Sequence, residues 1–282
     1  MTERTKDYNI ELLTPCFCHG EDSRNNPEIR VASIRGQIRE WRRMRNAEVG
    51  DRQLSSDERI ENSVSQVWGG SCHTWNARKS KSESTMIASR VALELDWELA
   101  THLAKKPLLP HKKSPQREAV FGKEEFMLKL RRLVGCTDTL WAEAKRDVQT
   151  WLLLGCLGQR ANRAAGSVWR RDWRFASIED FRKQLLSVQI PQNWDVRVCD
   201  QAFDDAEEVR TVASDTVDNV QYFGGINPRR KPSPTKMKVV RSGGSFHLLL
   251  FAATANLLDD AIECLKTKPN PERWQNLTFR KL

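Results

Sequence analysis

Apolar and polar residues alternate in four segments of the N-terminal half, and this period of two predicts β-strands. The first covers residues 8–12, and the clearest alternation covers residues 91–98. Residues 126–131 fit either a third strand or a helix, because their apolar positions match both periods. Residues 168–175 provide the last strand of this half.

A period near 3.6 residues predicts two helices between these strands. Ile34, Ile38 and Trp41 form the apolar stripe of the first helix, and Ser33 is its predicted N-cap. The second helix covers residues 137–155. The resulting order, strand, helix, strand, strand, helix, strand, predicts an α+β fold with a ferredoxin-like βαββαβ domain, the arrangement of RNA-recognition modules.

Three further segments interrupt this order. Residues 56–67 predict a weaker helix that ends at the Gly69-Gly70 pair. Residues 76–84 and 105–117 are polar, basic and rich in serine or proline, so they predict exposed loops.

The C-terminal part predicts a second, smaller ferredoxin-like or α+β domain. Residues 177–187 have a helical pattern, and the acidic run 204–218 indicates a solvated segment or a helix. Two apolar strands, 236–240 and 246–251, flank a Ser-Gly-Gly-Ser turn typical of a hairpin, and a short helix follows. We therefore predict an N-terminal domain over residues 1–176 and a C-terminal domain over residues 177–282.

Charge and composition restrict the classes of function. Lys and Arg outnumber Asp and Glu by 46 to 37, and the net charge of +9 favours polyanionic partners. Most of the ten Trp residues are expected in the core, although Trp among arginines also suits base stacking. The sequence has neither an apolar stretch long enough to cross a membrane nor a signal peptide, and its seven Cys form no regular framework. We expect a soluble intracellular protein with reduced thiols.

Two motifs combine glycine with arginine. In the first helix, Arg35, Arg39 and Arg42 follow the apolar stripe one position later and predict a basic ridge, with Gly36 in the first turn. Between the second helix and the last strand, residues 155–167 contain three glycines and two arginines. Glycine lets backbone amides approach phosphates, and guanidinium groups bind phosphates bidentately.

With these motifs in this order, the sequence resembles the RAMP superfamily of CRISPR-associated proteins. It looks most like the first RAMP subunit of the type III-B (Cmr) effector complex, a chain with two ferredoxin-like domains. The resemblance rests on four landmarks: Leu13-Thr14-Pro15, Glu28-Ile29-Arg30 with the Ser33-Ile34-Arg35-Gly36 helix through Trp41-Arg42, Trp68-Gly69-Gly70-Ser71, and Leu157-Gly158-Gln159-Arg160 through Arg163 to Gly166-Ser167.

The resemblance implies a cytoplasmic prokaryotic protein of antiviral defence that binds RNA and has no chemistry, cofactor or metal of its own. Its implied partners are the CRISPR guide RNA near its 3′ end, the complementary target RNA, and other RAMP subunits of a ribonucleoprotein complex. The implied RNA-contacting residues are Arg30, Ser33, Arg35, Gly36, Arg39, Arg42, Gly158, Arg160, Arg163 and Gly166.

Three alternatives remain open from sequence. Other RAMP proteins cleave RNA, and His19 or Asp22 after the first strand is placed to act as a general acid in a metal-independent endoribonuclease. A zinc site is a second alternative, although its spacing is unusual, and its candidate ligands are Cys16, Cys18, His19, Cys72 and His73. A general single-strand RNA chaperone is the third.

Overall fold

The computed structural model describes residues 3–18, 27–46, 54–97, 103–113, 115–120, 125–215, 233–267 and 275–282. The helices are α1 Val31–Arg45, α2 Ser56–Trp68, α3 Asp138–Leu154, α4 Ile178–Ser187, α5 Ala206–Ser214 and α6 Ala255–Thr267. The strands are β1 Thr5–Leu12, β2 Gly70–Asn76, β3 Lys81–Ile87, β4 Val91–Asp96, β5 Leu103–Pro107, β6 Gln116–Val120, β7 Glu125–Arg132, β8 Val168–Arg170, β9 Asp195–Cys199, β10 Thr235–Ser242, β11 Ser245–Ala252 and β12 Phe279–Lys281.

The first sheet has the strand order β4-β7-β1-β8. Its strands and the helices α1 and α3 form the sequence β1-α1-β4-β7-α3-β8, with the first and third strands of the motif in the centre of the sheet. Val91 of β4 lies opposite Arg132 of β7, and Ile10 of β1 lies opposite Arg170 of β8. The predicted ferredoxin-like order is therefore confirmed, and the ambiguous segment 126–131 is a strand.

The second sheet repeats this arrangement in the C-terminal part. Its order is β10-β11-β9-β12, and the elements β9-α5-β10-β11-α6-β12 again place the first and third strands in the centre. The predicted hairpin is β10–β11, in which Thr235 pairs with Ala252 and Ser242 with Ser245. Sequence patterns missed β9 and β12, but the α+β class with two ferredoxin-like topologies is confirmed.

The chain divides into two compact units. Unit 1 contains Met1–Tyr8, Arg30–Asp96 and Met127–Trp151. Unit 2 contains Asn9–Ile29, Trp97–Phe126 and Leu152–Leu282. The strands of the first sheet all precede residue 177 and those of the second all follow it, although unit 2 takes segments from both sides of that position.

Each unit has its own apolar core. In unit 1 the predicted stripe of α1, Ile34, Ile38 and Trp41, is buried. In unit 2 the rings of Trp169 and Phe181 are stacked with their centroids 6.2 Å apart, and Trp169 meets Trp173 edge-on at 5.2 Å. Of the nine Trp in the described ranges, seven are buried core residues, as the sequence indicated.

The predicted loops 76–84 and 105–117 are correct only for the turns, because strands form the ends of both segments. The first lies in the β2–β3 hairpin, in which Gly70 pairs with Ile87, and the second lies in the β5–β6 hairpin, in which Leu103 pairs with Val120. Both hairpins are largely polar, so no apolar alternation marks their strands, and the backbone ladder defines them instead. Over the described ranges, no helix combines the length and apolar character that crossing a membrane requires.

Candidate nucleic-acid interface

Helix α1, in unit 1, begins earlier than its sequence predicted. Its first residue is Val31, and Arg30 occupies the N-cap position with extended backbone and no side-chain cap. Ser33 is therefore not the N-cap, because its amide already bonds to the Arg30 carbonyl oxygen at 3.0 Å. Gly36 falls in the second turn rather than the first, so its amide belongs to the helical ladder and not to the group of free N-terminal amides.

Gly36 is exposed, and a Cβ built there would meet no atom of the protein within 4 Å. The chain itself therefore does not require glycine at this position. Helix propensity alone favours alanine by roughly 1 kcal/mol. Gly36 has a low helix propensity and open space around it, and both features are compatible with the predicted close approach of an RNA backbone.

The variant Gly36→Ala is expected to raise the free energy of unfolding by about 1 kcal/mol, because the new methyl group has room and stiffens the helix. We expect the same variant to bind single-stranded RNA more weakly, since the methyl group occupies the space that the RNA backbone would use. Chemical denaturation and fluorescence anisotropy measure the two quantities. Unchanged RNA affinity in the stabilised variant would contradict an RNA contact at Gly36.

Arg35 and Arg39 contact helix α2. The Arg35 guanidinium donates a hydrogen bond to the carbonyl oxygen of Trp68, the last residue of α2, at 2.7 Å. A cation at this end compensates the free carbonyls and the negative end of the helix dipole. Arg39 forms an ion pair with Glu61 at 3.1 Å, with its side chain 20% exposed. Both arginines therefore have structural partners on α2, and their predicted contact with RNA stays a prediction.

Arg42 is directed into unit 1. It donates to the Ser63 carbonyl at 2.6 Å and to the carboxylate of Asp147 at 3.1 Å, and its side chain is 6% exposed. Asp147 is fully buried and also accepts hydrogen bonds from Arg45 and from the indole N–H of Trp68. Burial raises the pKa of the Asp147 carboxyl, while the two guanidinium groups act in the opposite direction.

The basic ridge that the spacing predicted is therefore not an open solvated face. The side chains follow α1 as predicted, but the ridge faces α2 and the Asp147 carboxylate of α3, which neutralises Arg42 inside the core. The Nε and Nη1 groups of Arg42 already donate to partners inside unit 1. Arg42 therefore has structural partners within unit 1, and its predicted contact with RNA stays a prediction.

The glycine loop, residues 155–167 of unit 2, uses its glycines for packing within the chain. Gly166 has φ +64°, and a Cβ there would lie 1.9 Å from the Leu157 carbonyl oxygen. Gly158 has φ +88°, and its Cβ would lie 3.0 Å from the Phe17 carbonyl. The backbone conformation and the close neighbours therefore require glycine at both positions. The sequence had instead suggested that these glycines let phosphate approach the backbone amides.

Most of the loop backbone is held by other segments of unit 2. The Gly166 amide donates to the Pro15 carbonyl at 2.8 Å, and the Gln159 amide to that of Phe17 at 3.0 Å. The Ala164 amide donates to the carbonyl oxygen of Met237 in β10 at 3.2 Å. These bonds cover part of the edge strand β10 and fix the shape of the loop.

Lys238 of β10 adds a buried connection that sequence reasoning missed. Its ammonium donates to the carbonyl oxygens of Leu152, Gly155 and Val168 at 2.6–2.7 Å, which uses all three of its N–H groups. Burial lowers its pKa to about 7. Nothing in the alternating pattern of residues 236–240 distinguishes this lysine from one that points to solvent.

The two arginines of the loop differ in environment. Arg163 is buried, with 5% of its surface exposed. Arg160 is half-buried, with left-handed backbone at φ 60°, and burial alone lowers the pKa of its guanidinium. Among the described residues, no carboxylate forms an ion pair with Arg160. Next to it, Asn162 accepts a hydrogen bond from the ammonium of Lys236 at 3.2 Å.

Other predicted candidates are only partly described. His19 and Asp22, the proposed catalytic residues, lie outside the described residues. Cys16 and Cys18 are buried in unit 2 with their Sγ atoms 3.2 Å apart, whereas Cys72 and His73 belong to unit 1. The hydrogen bond with Cys18 and burial raise the pKa of Cys16 well above its usual range, which disfavours the thiolate that metals bind. In the portion of the chain with described coordinates, no group of three or more candidate ligands could hold a metal ion.

Comparisons with known proteins relate this arrangement to a family. The fold is similar to the apo crystal structure of Cmr1 from Pyrococcus furiosus, with a TM-score of 0.57 and 18% identity over 88% of this chain and 87% of that one. It is also similar to a chain in a cryo-EM structure of the Type III-B Cmr-beta bound to cognate target RNA, with a TM-score of 0.59 and 10% identity over 89% and 94%. A search of curated proteins finds no match.

The family itself is identified by sequence. A model of the RAMP superfamily matches residues 9–169, more than half of the chain. The matched segment runs from β1 through the glycine loop to β8, and so includes both glycine and arginine motifs. The chain belongs to the RAMP superfamily.

Proposed function

We propose that this protein is a non-catalytic RNA-binding subunit of a type III-B, Cmr-type CRISPR effector complex. It binds guide RNA, target RNA or both near the 3′ end of the guide, in the cytoplasm of a prokaryote. Membership of the RAMP superfamily, the fold similarity to Cmr1 and the net charge of +9 support this proposal. So does the similarity to a chain of a complex bound to cognate target RNA.

The environment of Arg160 carries the proposal. Burial of a guanidinium costs free energy unless an anion compensates it, and this one has no carboxylate partner among the described residues. The loop that presents it is fixed by Gly158 and Gly166, so little conformational entropy is lost when a ligand binds. A phosphate group accepts two hydrogen bonds from the planar guanidinium fork and supplies the missing charge.

The other predicted RNA-contacting residues differ in how accessible they are to RNA. Arg30 and Gly36 are exposed on α1 and remain proposed contacts, together with Ser33. Arg35 and Arg39 can reach RNA only by sharing their guanidinium groups with α2. Arg42 is internal, and Arg163 is buried. Contacts of this kind follow the shape of the RNA backbone rather than its sequence.

The variant Arg160→Gln is expected to weaken single-stranded RNA binding and to reduce the slope of log Kd against log salt by about 0.7, the value for one lost phosphate contact. Fluorescence anisotropy over a series of salt concentrations measures both. The control is Arg182→Gln on α4, since Arg182 is 42% exposed and pairs with Glu179. Equal slopes for Arg160→Gln and Arg182→Gln would contradict the proposed site.

The absence of catalysis and the assignment to a complex require separate experiments. Purified protein incubated with labelled RNA should leave it intact, and cleavage that is lost in His19→Ala or Asp22→Ala would establish the endoribonuclease instead. Protein isolated from its native host should carry guide RNAs with a uniform 5′ end and other RAMP subunits. Heterogeneous transcripts and no partner subunits would identify a general RNA chaperone.

A further inference from the structure

The β5–β6 hairpin of unit 2 carries a cluster of exposed lysines. The two strands are joined at the tip by the 3-10 turn Pro110–Lys112. Lys105, Lys112 and Lys113 are exposed, and within the described residues none of them forms an ion pair or a side-chain hydrogen bond. Glu118 lies opposite Lys105 in the strand register without pairing with it. The hairpin therefore presents uncompensated positive charge, which the sequence had assigned to a loop.

The hairpin is firmly held against helix α5. Arg210 of α5 donates to the Pro107 carbonyl at 3.0 Å, and the His111 imidazole is hydrogen-bonded to the Ser214 hydroxyl at 2.8 Å. Within the hairpin, the Leu108 amide donates to the Pro115 carbonyl at 2.8 Å. These bonds, all at the turn end of the hairpin, give Lys112 and Lys113 a defined position.

The same helix also contacts the glycine loop. Helix α5 contacts both the hairpin turn Pro110–Lys112 and the loop turn Ala161–Arg163. The Arg210 guanidinium lies 5.6 Å from the centroid of the Phe17 ring, and the Phe17 carbonyl accepts the Gln159 amide at the start of the loop. The hairpin tip and the segment next to Arg160 thus lie against one element.

The exposed acidic residues of this region are concentrated at the other end of α5, whereas Asp215, the C-cap residue next to Ser214, is buried. Asp205 caps the helix, Glu207 pairs with Arg210, and Asp204 and Glu208 are exposed in the same turn. The hairpin tip instead meets Ser214, the last helical residue. Ser214 lies eight positions after Ala206, a helical rise of about 12 Å. The exposed carboxylates at the start of α5 are thus spaced away from the tip, and the negative end of the helix dipole near the tip favours cations.

We propose that Lys105, Lys112 and Lys113 bind backbone phosphates of the single-stranded RNA that Arg160 contacts. The RNA-binding surface then continues from the glycine loop along α5 to the hairpin tip. This inference rests on the proposed function. Lysine ammonium groups on a fixed hairpin bind phosphates as point charges, so this part of the surface contributes affinity and salt dependence without reading bases.

The variant Lys112→Gln, Lys113→Gln in the full-length protein tests this inference with a labelled single-stranded RNA of mixed sequence. We expect its salt slope to fall by about 1.4, the value for two lost phosphate contacts. The matched control, Lys183→Gln with Lys281→Gln, removes the same charge from side chains that are 69% and 58% exposed on other elements of unit 2. Lys112→Arg, Lys113→Arg keeps the charge and should keep the slope.

The outcomes separate this inference from the function on which it rests. If Arg160→Gln lowers the slope and the hairpin variant behaves like its control, the extension to the hairpin is wrong and the loop site stands. If neither variant changes the slope, both proposals are wrong. A lower salt slope in Lys112→Arg, Lys113→Arg would mean that the tip affects RNA binding through its fold and not through its charge. Unchanged RNA binding in the Gln variant, with loss of co-purifying subunits, would assign the lysines to a protein partner. Either result overturns the inference.

Discussion

Replacing Asp147 by asparagine is expected to reduce the free energy of unfolding by about 3–5 kcal/mol, because it leaves buried guanidinium groups without their counter-charge. Asp147 is fully buried in unit 1 and accepts hydrogen bonds from Arg42, Arg45 and the Trp68 indole. Asparagine keeps the size of the side chain, so the variant tests charge and not volume. Chemical denaturation measures the change.

The control is Asp138→Asn at the start of the same helix. Asp138 forms an ion pair with Arg132 at 2.7 Å, but its side chain is 80% exposed. An exposed pair contributes at most about 1 kcal/mol, so this variant should remain close to the parent protein. A similarly small effect at Asp147 would show that the enclosed Arg42 does not depend on the carboxylate.

Asp147 also shows how much of this arrangement a sequence can reveal. Ala144, Val148 and Trp151 form the buried face of α3, and Asp147 is flanked by them at helical spacing, which marks it as a charged residue within an apolar stripe. A buried carboxylate needs a cationic partner, so the sequence contained a signal for an ion pair. The signal does not identify which arginine supplies that partner, because Arg42 is more than a hundred positions away.

The arginine ridge of α1 illustrates the same limit. Helical periodicity correctly places Arg35, Arg39 and Arg42 beside the apolar stripe. Whether this side faces solvent depends on α2, which packs against α1 and brings Glu61 and the Trp68 carbonyl to it. Local spacing therefore predicted the positions of the side chains but not their partners.

The strands were predictable to the extent that one face of each was buried. β1, β4 and β10–β11 carry alternating or continuous apolar positions, and all were recognised. The β2–β3 and β5–β6 hairpins bury little, so their sequences resemble loops. The sequence therefore showed the lysines of the β5–β6 hairpin as part of a basic segment, but not the hairpin that positions them.

Replacing Gly166 by alanine is expected to be the most damaging single change in the glycine loop. The new Cβ would lie 1.9 Å from the Leu157 carbonyl oxygen and only 3.2 Å from its amide nitrogen, so the backbone itself must move. The positive φ of +64° adds strain for any side chain. Together these effects should lower the free energy of unfolding by at least about 2 kcal/mol.

The variant should also weaken RNA binding, because the loop that presents Arg160 is anchored through Gly166 to Pro15 and Leu157. Gly244→Ala, in the β10–β11 turn, is the matched control. Gly244 has φ +86°, and nothing lies within 4 Å of its Cβ position, so it carries the same kind of backbone strain without the clash. The difference between the losses in free energy of unfolding of Gly166→Ala and Gly244→Ala measures the cost of the steric clash.

Stability and RNA affinity together then decide what the glycine is for. A Gly166→Ala protein that is destabilised and binds RNA weakly would mean that glycine shapes the loop so that Arg160 is held in place. If affinity is lost while stability equals that of Gly244→Ala, phosphate approaches the backbone at Gly166 directly, as the sequence first suggested. Full affinity in a destabilised variant would separate the loop from RNA binding and would leave the half-buried charge of Arg160 without a ligand.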